Sequence, residues 1–223
     1  SAAIPAVSPI RNPICPHFLK RRVTCLSVDT VKNGSCSPEP VLVIFGSPHA
    51  EGPTARLTGA ALAALPEGTR MMLWDCYARM PVPCNDCGYC RRQEGCSKRD
   101  LDEFYEDLEA ADRLLFATPV YHGSFPAPMK AVLDRLQRYW SARFVLGIRP
   151  PIQKPKQGVL LTVSGSPSDE GGRLIERQLA PHLTVLNTVL IGAVHYTGAD
   201  SGAPLDGAEK ALRVLMAAKG KGA

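Results

Sequence analysis

Four cysteines, Cys84, Cys87, Cys90 and Cys96, fall within 13 residues, with two, two and five residues between them. Three thiolates at three-residue steps can wrap one corner of a cubane, and a fourth several residues on can close it. The spacing therefore predicts a four-ligand [4Fe-4S] site. Zinc is the main rival, although it more often uses two ligand pairs separated by a longer knuckle. A disulfide framework is the weaker third reading, because nothing else in the chain has the character of a small secreted scaffold. Gly88 and Gly95 lie inside the segment, where they let the backbone close around sulfur and donate N–H bonds to it.

Three other segments combine small residues with polar or aromatic ones. Residues 46–54 carry Gly46, Ser47, Pro48, His49, Gly52 and Thr54 just ahead of a helical pattern. Backbone N–H groups at such a helix start approach an anion, and the two hydroxyls add donors for a phosphate. The segment lacks the lysine of a Walker loop and the G-x-G-x-x-G dinucleotide pattern, so a mononucleotide phosphate fits better. The plainer alternative is a tight turn whose glycine and hydroxyl serve geometry alone. Residues 118–124 bring Pro119, Val120, Tyr121, His122, Gly123 and Ser124, an aromatic and an imidazole suited to a flat heterocycle. Residues 164–172, beginning Ser164 and Gly165, are again glycine-rich.

Those three segments each follow a strand-like run, so a parallel sheet would gather them at one edge. Short apolar or β-branched runs at 41–45, 71–74, 113–117, 158–163 and 189–194 alternate with amphipathic stretches, which predicts an α/β doubly wound sheet of five parallel strands. Ligands of such sheets sit outside the carboxyl ends of the strands, where the strand order reverses. The first helix has Leu57, Ala61 and Leu65 on one face with Thr54 as its expected cap. The cysteine-rich insertion, residues 81–98, follows the second strand. Asp100 and Glu103 then resemble a capping pair for the next helix. After the third strand, one long helix is expected to turn Met129, Val132, Leu133, Leu136 and Trp140 inward.

Residues 1–40 show no sustained period and form an irregular cysteine- and proline-rich extension, leaving 41–223 as the main domain. Cys15, Cys25 and Cys36, with His17 and Cys76 as companions, match no ligand motif; free thiols and a second metal site both stay open. His195 reads as structural. The tail at 219–222 is expected to fray.

The chain has 223 residues, 45% hydrophobic and 21% charged, room for one α/β core plus an appendage. Of the net charge of +5, residues 1–40 carry +3, so the main domain is nearly balanced. No basic strip interleaved with aromatics is present, and nucleic-acid binding is not expected. No apolar run approaches the roughly 20 residues of a membrane span. No secretory signal is evident, so a cytoplasmic location is expected.

Taken together, the residues resemble the NAD(P)H-dependent flavin reductase branch of the flavodoxin-like superfamily, and specifically the iron-sulfur flavoproteins. The resemblance covers about residues 41–217. Gly46, Ser47 and Pro48 with Gly52 and Thr54 resemble that family's phosphate loop. Residues 119–124 with Lys130, Asp134 and Arg135 resemble its second flavin loop and helix, and residues 84–96 its cluster segment. His49 stands where the family commonly has arginine, Pro53 where it often has asparagine, and its Gly-Gly-Gln-Glu pattern survives only as Gly171 and Gly172.

The resemblance implies sheet order 2-1-3-4-5 and FMN held by Ser47, Pro48, Thr54, Pro119, Tyr121, Gly123 and the loop around Gly165. It also implies a homodimer or homotetramer. The activity expected is electron transfer between a two-electron donor such as NAD(P)H and a one-electron partner, through FMN and [4Fe-4S]. Two alternatives remain. One is a flavin-bearing subunit docked in a larger redox complex through residues 1–40. The other is an FMN-dependent quinone or azo reductase stabilised by zinc.

Overall fold

The computed structural model describes residues 39–218. The extension up to residue 38, with Cys15, Cys25, Cys36 and His17, and the tail at 219–222 lie outside the described residues. The five expected strands form: β1 Val41–Phe45, β2 Met71–Asp75, β3 Arg113–Pro119, β4 Lys156–Val163 and β5 Thr188–Tyr196. All pairings are parallel, in the order β2-β1-β3-β4-β5. The order reverses between β1 and β3, which puts the ligand crevice of this architecture beside their carboxyl ends.

β1 is buried along its whole length because both faces of the sheet are covered. The period of two divides it: Leu42 and Ile44 enter one core, Val41, Val43 and Phe45 the other. The second core is closed by α1 (Pro53–Leu62) and α8 (Asp206–Ala217) through Leu57, Ala61, Leu212 and Met216. The first is closed by α4 (Asp102–Ala110), α5 (Ala127–Arg135), α6 (Gln137–Phe144) and α7 (Glu170–Val185). Of two four-residue helices, α2 (Cys76–Arg79) follows β2 directly and α3 (Tyr89–Arg92) lies within the insertion.

Several local expectations change. Gly52, not Thr54, is the N-cap of α1, with Pro53 in the first turn and Thr54 buried just inside it. Asp100 does not cap α4, whose N-cap is Leu101 without a side-chain bond. Its carboxylate is engaged instead by Arg135 and by the backbone N–H of Val82. The long helix after β3 divides at Leu136 into α5 and α6. The division leaves Trp140 42% exposed and turns Tyr139 inward instead, edge-on to Tyr105 and bonded to Glu109. Cys76, weighed as a metal companion, is fully buried in the first core, and burial keeps its thiol protonated far above the ordinary range.

Candidate functional site

At the end of β1 the chain passes through Gly46, whose absent side chain is required: a Cβ there would lie 2.5 Å from Met129 Sδ. Ser47 follows, 4% exposed, its Oγ accepting the His49 N–H at 3.2 Å. Accepting that bond leaves the hydroxyl proton available to a ligand. Pro48 is half-buried and His49 exposed. The α1 helix then begins with no side-chain cap and no acidic residue in its first turn. An uncapped helix start between two buried hydroxyls, Ser47 and Thr54, is a donor set for a phosphate.

The β3 loop stands next to it. Pro119 completes the strand, and residues 121 and 124 exchange two backbone hydrogen bonds of 3.0 Å. The turn between them is made by His122 (φ 52°) and Gly123 (φ 71°), which leaves Tyr121 and His122 exposed. A positive φ at histidine is uncommon, and local bonds from α7 hold it. Gln178 Nε2 donates to the Gly123 carbonyl at 3.0 Å, and Gln178 Oε1 accepts from Ser124 Oγ at 3.0 Å. Glycine also governs how close α7 can come: a Cβ on Gly171 would lie 2.7 Å from Val120 Cγ1. Of the surviving Gly171–Gly172 pair, Gly171 is thus required for packing against the loop, and Gly172 for packing against Thr162 and His195 on β4 and β5.

The third loop leaves β4 at buried Ser164 and at Gly165, whose missing side chain makes room for the Asp200 carboxylate. The candidate flavin residues of all three loops therefore collect at one edge of the sheet. Tyr77, just beyond β2, joins them. Burial first, and then the neighbouring Tyr121 hydroxyl, push its phenol above the ordinary range. No motif marks Tyr77 or Gln178, since each reaches the loops from another element. His195 is not free: its Nδ1 is 2.8 Å from Thr162 Oγ1 and its Nε2 3.0 Å from Glu176 Oε2.

The insertion gathers Cys84, Cys87, Cys90 and Cys96 around one narrow cavity. Left-handed backbone at Asp86, Gly88 and Gly95 turns the loop around it. Cys87 Sγ lies 3.2 Å from Ser97 Oγ, and that contact leads the causes that lower its thiol pKa. Cys90 Sγ lies 3.4 Å from Ser141 Oγ. Arg135, 2% exposed overall, also lines the cavity, its Nη2 3.6 Å from Cys96 Sγ. Thiols, hydroxyl donors and a buried cation suit an anionic metal-sulfur group. Among the described residues, however, no three His, Cys, Asp or Glu side chains stand close enough to hold a single metal ion. A polar cavity of about 450 Å³ adjoins, sharing Cys96 and Arg138.

A doubly wound sheet of this order, with a phosphate-type donor set at β1 and an aromatic loop at β3, defines a flavodoxin-like, flavin-dependent oxidoreductase. The chain belongs to the NADPH-dependent FMN reductase family, whose model matches residues 40–201. It is 37% identical over 125 residues to an iron-sulfur flavoprotein of Methanosarcina thermophila, a match covering 55% of this chain and 62% of that one. It is 30% identical over 165 residues to an iron-sulfur flavoprotein of Archaeoglobus fulgidus, covering 73% and 78%. The NAD(P)H:quinone oxidoreductase of Methanothermobacter marburgensis shares the fold at TM-score 0.60 and 19% identity, covering 81% of this chain and 96% of that one. No helix among the described residues is long and apolar enough to cross a membrane.

Proposed function

We propose that this chain carries both FMN and a [4Fe-4S] cluster and moves electrons between a two-electron donor of the NAD(P)H type and a one-electron partner. The observation that carries the reading is the common cavity of Cys84, Cys87, Cys90 and Cys96, on the loop that leaves the strand beside β1. Four thiols at this spacing match the ligand set of a cubane cluster, whereas zinc more often uses two ligand pairs separated by a longer knuckle. The names of the two relatives, both iron-sulfur flavoproteins, point the same way.

The flavin, when bound, supplies the exchange between paired and single electrons, and the cluster supplies single-electron transfer. In this reading the chain's own residues bind, orient and exclude water. Ser47, Thr54 and the start of α1 hold the phosphate, with Pro48, His49 and Gly52 shaping the loop. Pro119, Val120, Tyr121, His122, Gly123 and Ser124 would border the ring, and Ser164 and Gly165 would contribute from the third loop. Gln178 keeps the β3 loop in its turn.

Anaerobically purified protein should show flavin absorption together with about four irons per chain and matching sulfide. Cys84→Ser should remove the broad iron absorption and leave the flavin bound. Zinc as the sole metal would overturn the cluster assignment, and loss of both chromophores on that substitution would show that the two sites are not separate.

A further inference from the structure

Arg135 is the most deeply buried charge beside the cysteines. Its side chain is 1% exposed and sits at the last turn of α5, far along the chain from everything it binds. Nη1 donates to Asp100 Oδ1 at 2.5 Å and to the Val82 carbonyl at 3.3 Å. Nη2 donates to the Lys98 carbonyl at 2.6 Å and points to Cys96 Sγ at 3.6 Å. Among the described residues Nε has no acceptor at all, although it is buried. A guanidinium desolvated to this extent ordinarily has every N–H matched.

The groups fastened by this one side chain, at positions 82, 96, 98 and 100, bracket the cysteine segment on both sides. The loop carries little apolar anchoring of its own, since Cys84 and Cys87 are exposed and neighbouring residues mostly so. A planar fork with several fixed donors does what a point charge on a flexible stem cannot.

We propose that Arg135 is a positioning residue for the [4Fe-4S] cluster: it fastens both ends of the cysteine loop and holds a buried positive charge against the cluster's Cys96 side. This rests on the cluster reading above. One-electron reduction adds a negative charge to the cluster, and a desolvated cation alongside favours the reduced form, raising the midpoint potential. Asp100 works in the opposite sense, as the carboxylate that partly cancels that cation.

The test is a dithionite redox titration of the anaerobic holoprotein, following the cluster by electron paramagnetic resonance and the flavin by absorption in the same samples. Arg135→Gln should shift the cluster potential downward and Asp100→Asn upward, with the flavin couple staying where it is in the wild type. Arg135→Lys keeps the charge but not the fork, and should hold a nearly wild-type potential while losing iron faster to a chelator. Opposite shifts separate an electrostatic role from general loosening, which would move both variants the same way.

If Arg135→Gln does not accumulate as folded protein, Asp100→Asn decides: a raised potential supports the proposal, and an unchanged or lowered one overturns it. A cluster present in all variants with unmoved potentials overturns the role of Arg135 alone. Wild-type protein without iron and sulfide overturns the cluster reading and this proposal together.

Discussion

Replacing Thr54 by valine removes one hydroxyl from the first turn of α1 and keeps the shape of a side chain that is 2% exposed. The helix start has no side-chain cap, so the change touches the candidate phosphate donors without altering a cap bond. A hydrogen bond to a charged group contributes about 1.5 to 3 kcal/mol, so the Kd for FMN should rise roughly ten- to a hundredfold. Ser47→Ala should cost at least as much, because it also deprives the His49 N–H of its acceptor. The assay is fluorescence titration of the apoprotein with FMN and, in parallel, with riboflavin. Riboflavin lacks the phosphate, so its affinity should change by less than about twofold. Equal losses for both ligands, or no loss for either, would refute the placement of the phosphate at this helix start.

Gln178→Ala frees the β3 loop from α7 by removing bonds to Gly123 and Ser124. Flavin should then bind about tenfold more weakly, and limited proteolysis should gain a cut near residue 122; an unchanged digest would count against the clamp. Gly172→Ala would drive a methyl to 2.6 Å from both Thr162 Oγ1 and His195 Nδ1, whereas Gly59, inside α1, has open space around it. Urea denaturation should find Gly172→Ala destabilised by about 1 to 3 kcal/mol and Gly59→Ala stabilised by about 0.5 to 1 kcal/mol; the same sign for both would contradict the packing.

Lys156 is 3% exposed, and burial pushes its ammonium down to about 8 although it caps the carbonyls of Glu109 and Ala111. The folded state thus releases this proton before the unfolded chain does. The penalty is fully present below pH 8 and fades as pH rises toward the ordinary lysine range, by about 1 to 3 kcal/mol in total. The stability difference between wild type and Lys156→Met should follow that window, and a flat difference from pH 7 to 10 would contradict it.

Strands β1, β3 and β4 were legible because a strand buried on both faces must be a short apolar run; the edge strands β2 and β5 kept the same apolar character although Met71, Leu73 and Val189 are exposed. The four-cysteine candidate set was visible in the sequence because Cys84, Cys87, Cys90 and Cys96 lie on a single loop, and the structure places all four around one cavity. The three candidate flavin loops were equally visible, since each directly follows its strand. What needed the tertiary structure was everything set by a partner distant in the chain. Asp100 has the sequence of a helix cap, yet a buried guanidinium 35 residues away competes for its carboxylate and wins. Burial alone would raise the Asp100 pKa, but the bonds from Arg135 and Val82 hold it below the usual range. The helix after β3 carries one continuous apolar pattern through Trp140, but it divides at Leu136, and Tyr139 rather than Trp140 packs inward against Tyr105. Gln178 and Tyr77 left no local mark, because each acts across space through groups on other elements; Arg135, read with the second flavin loop and helix, turns instead to Val82, Cys96, Lys98 and Asp100. Local composition determines which segments become strands, turns and ligand loops; desolvation and hydrogen-bond competition, which exist only once the chain is packed, decide which side chains hold those loops in place.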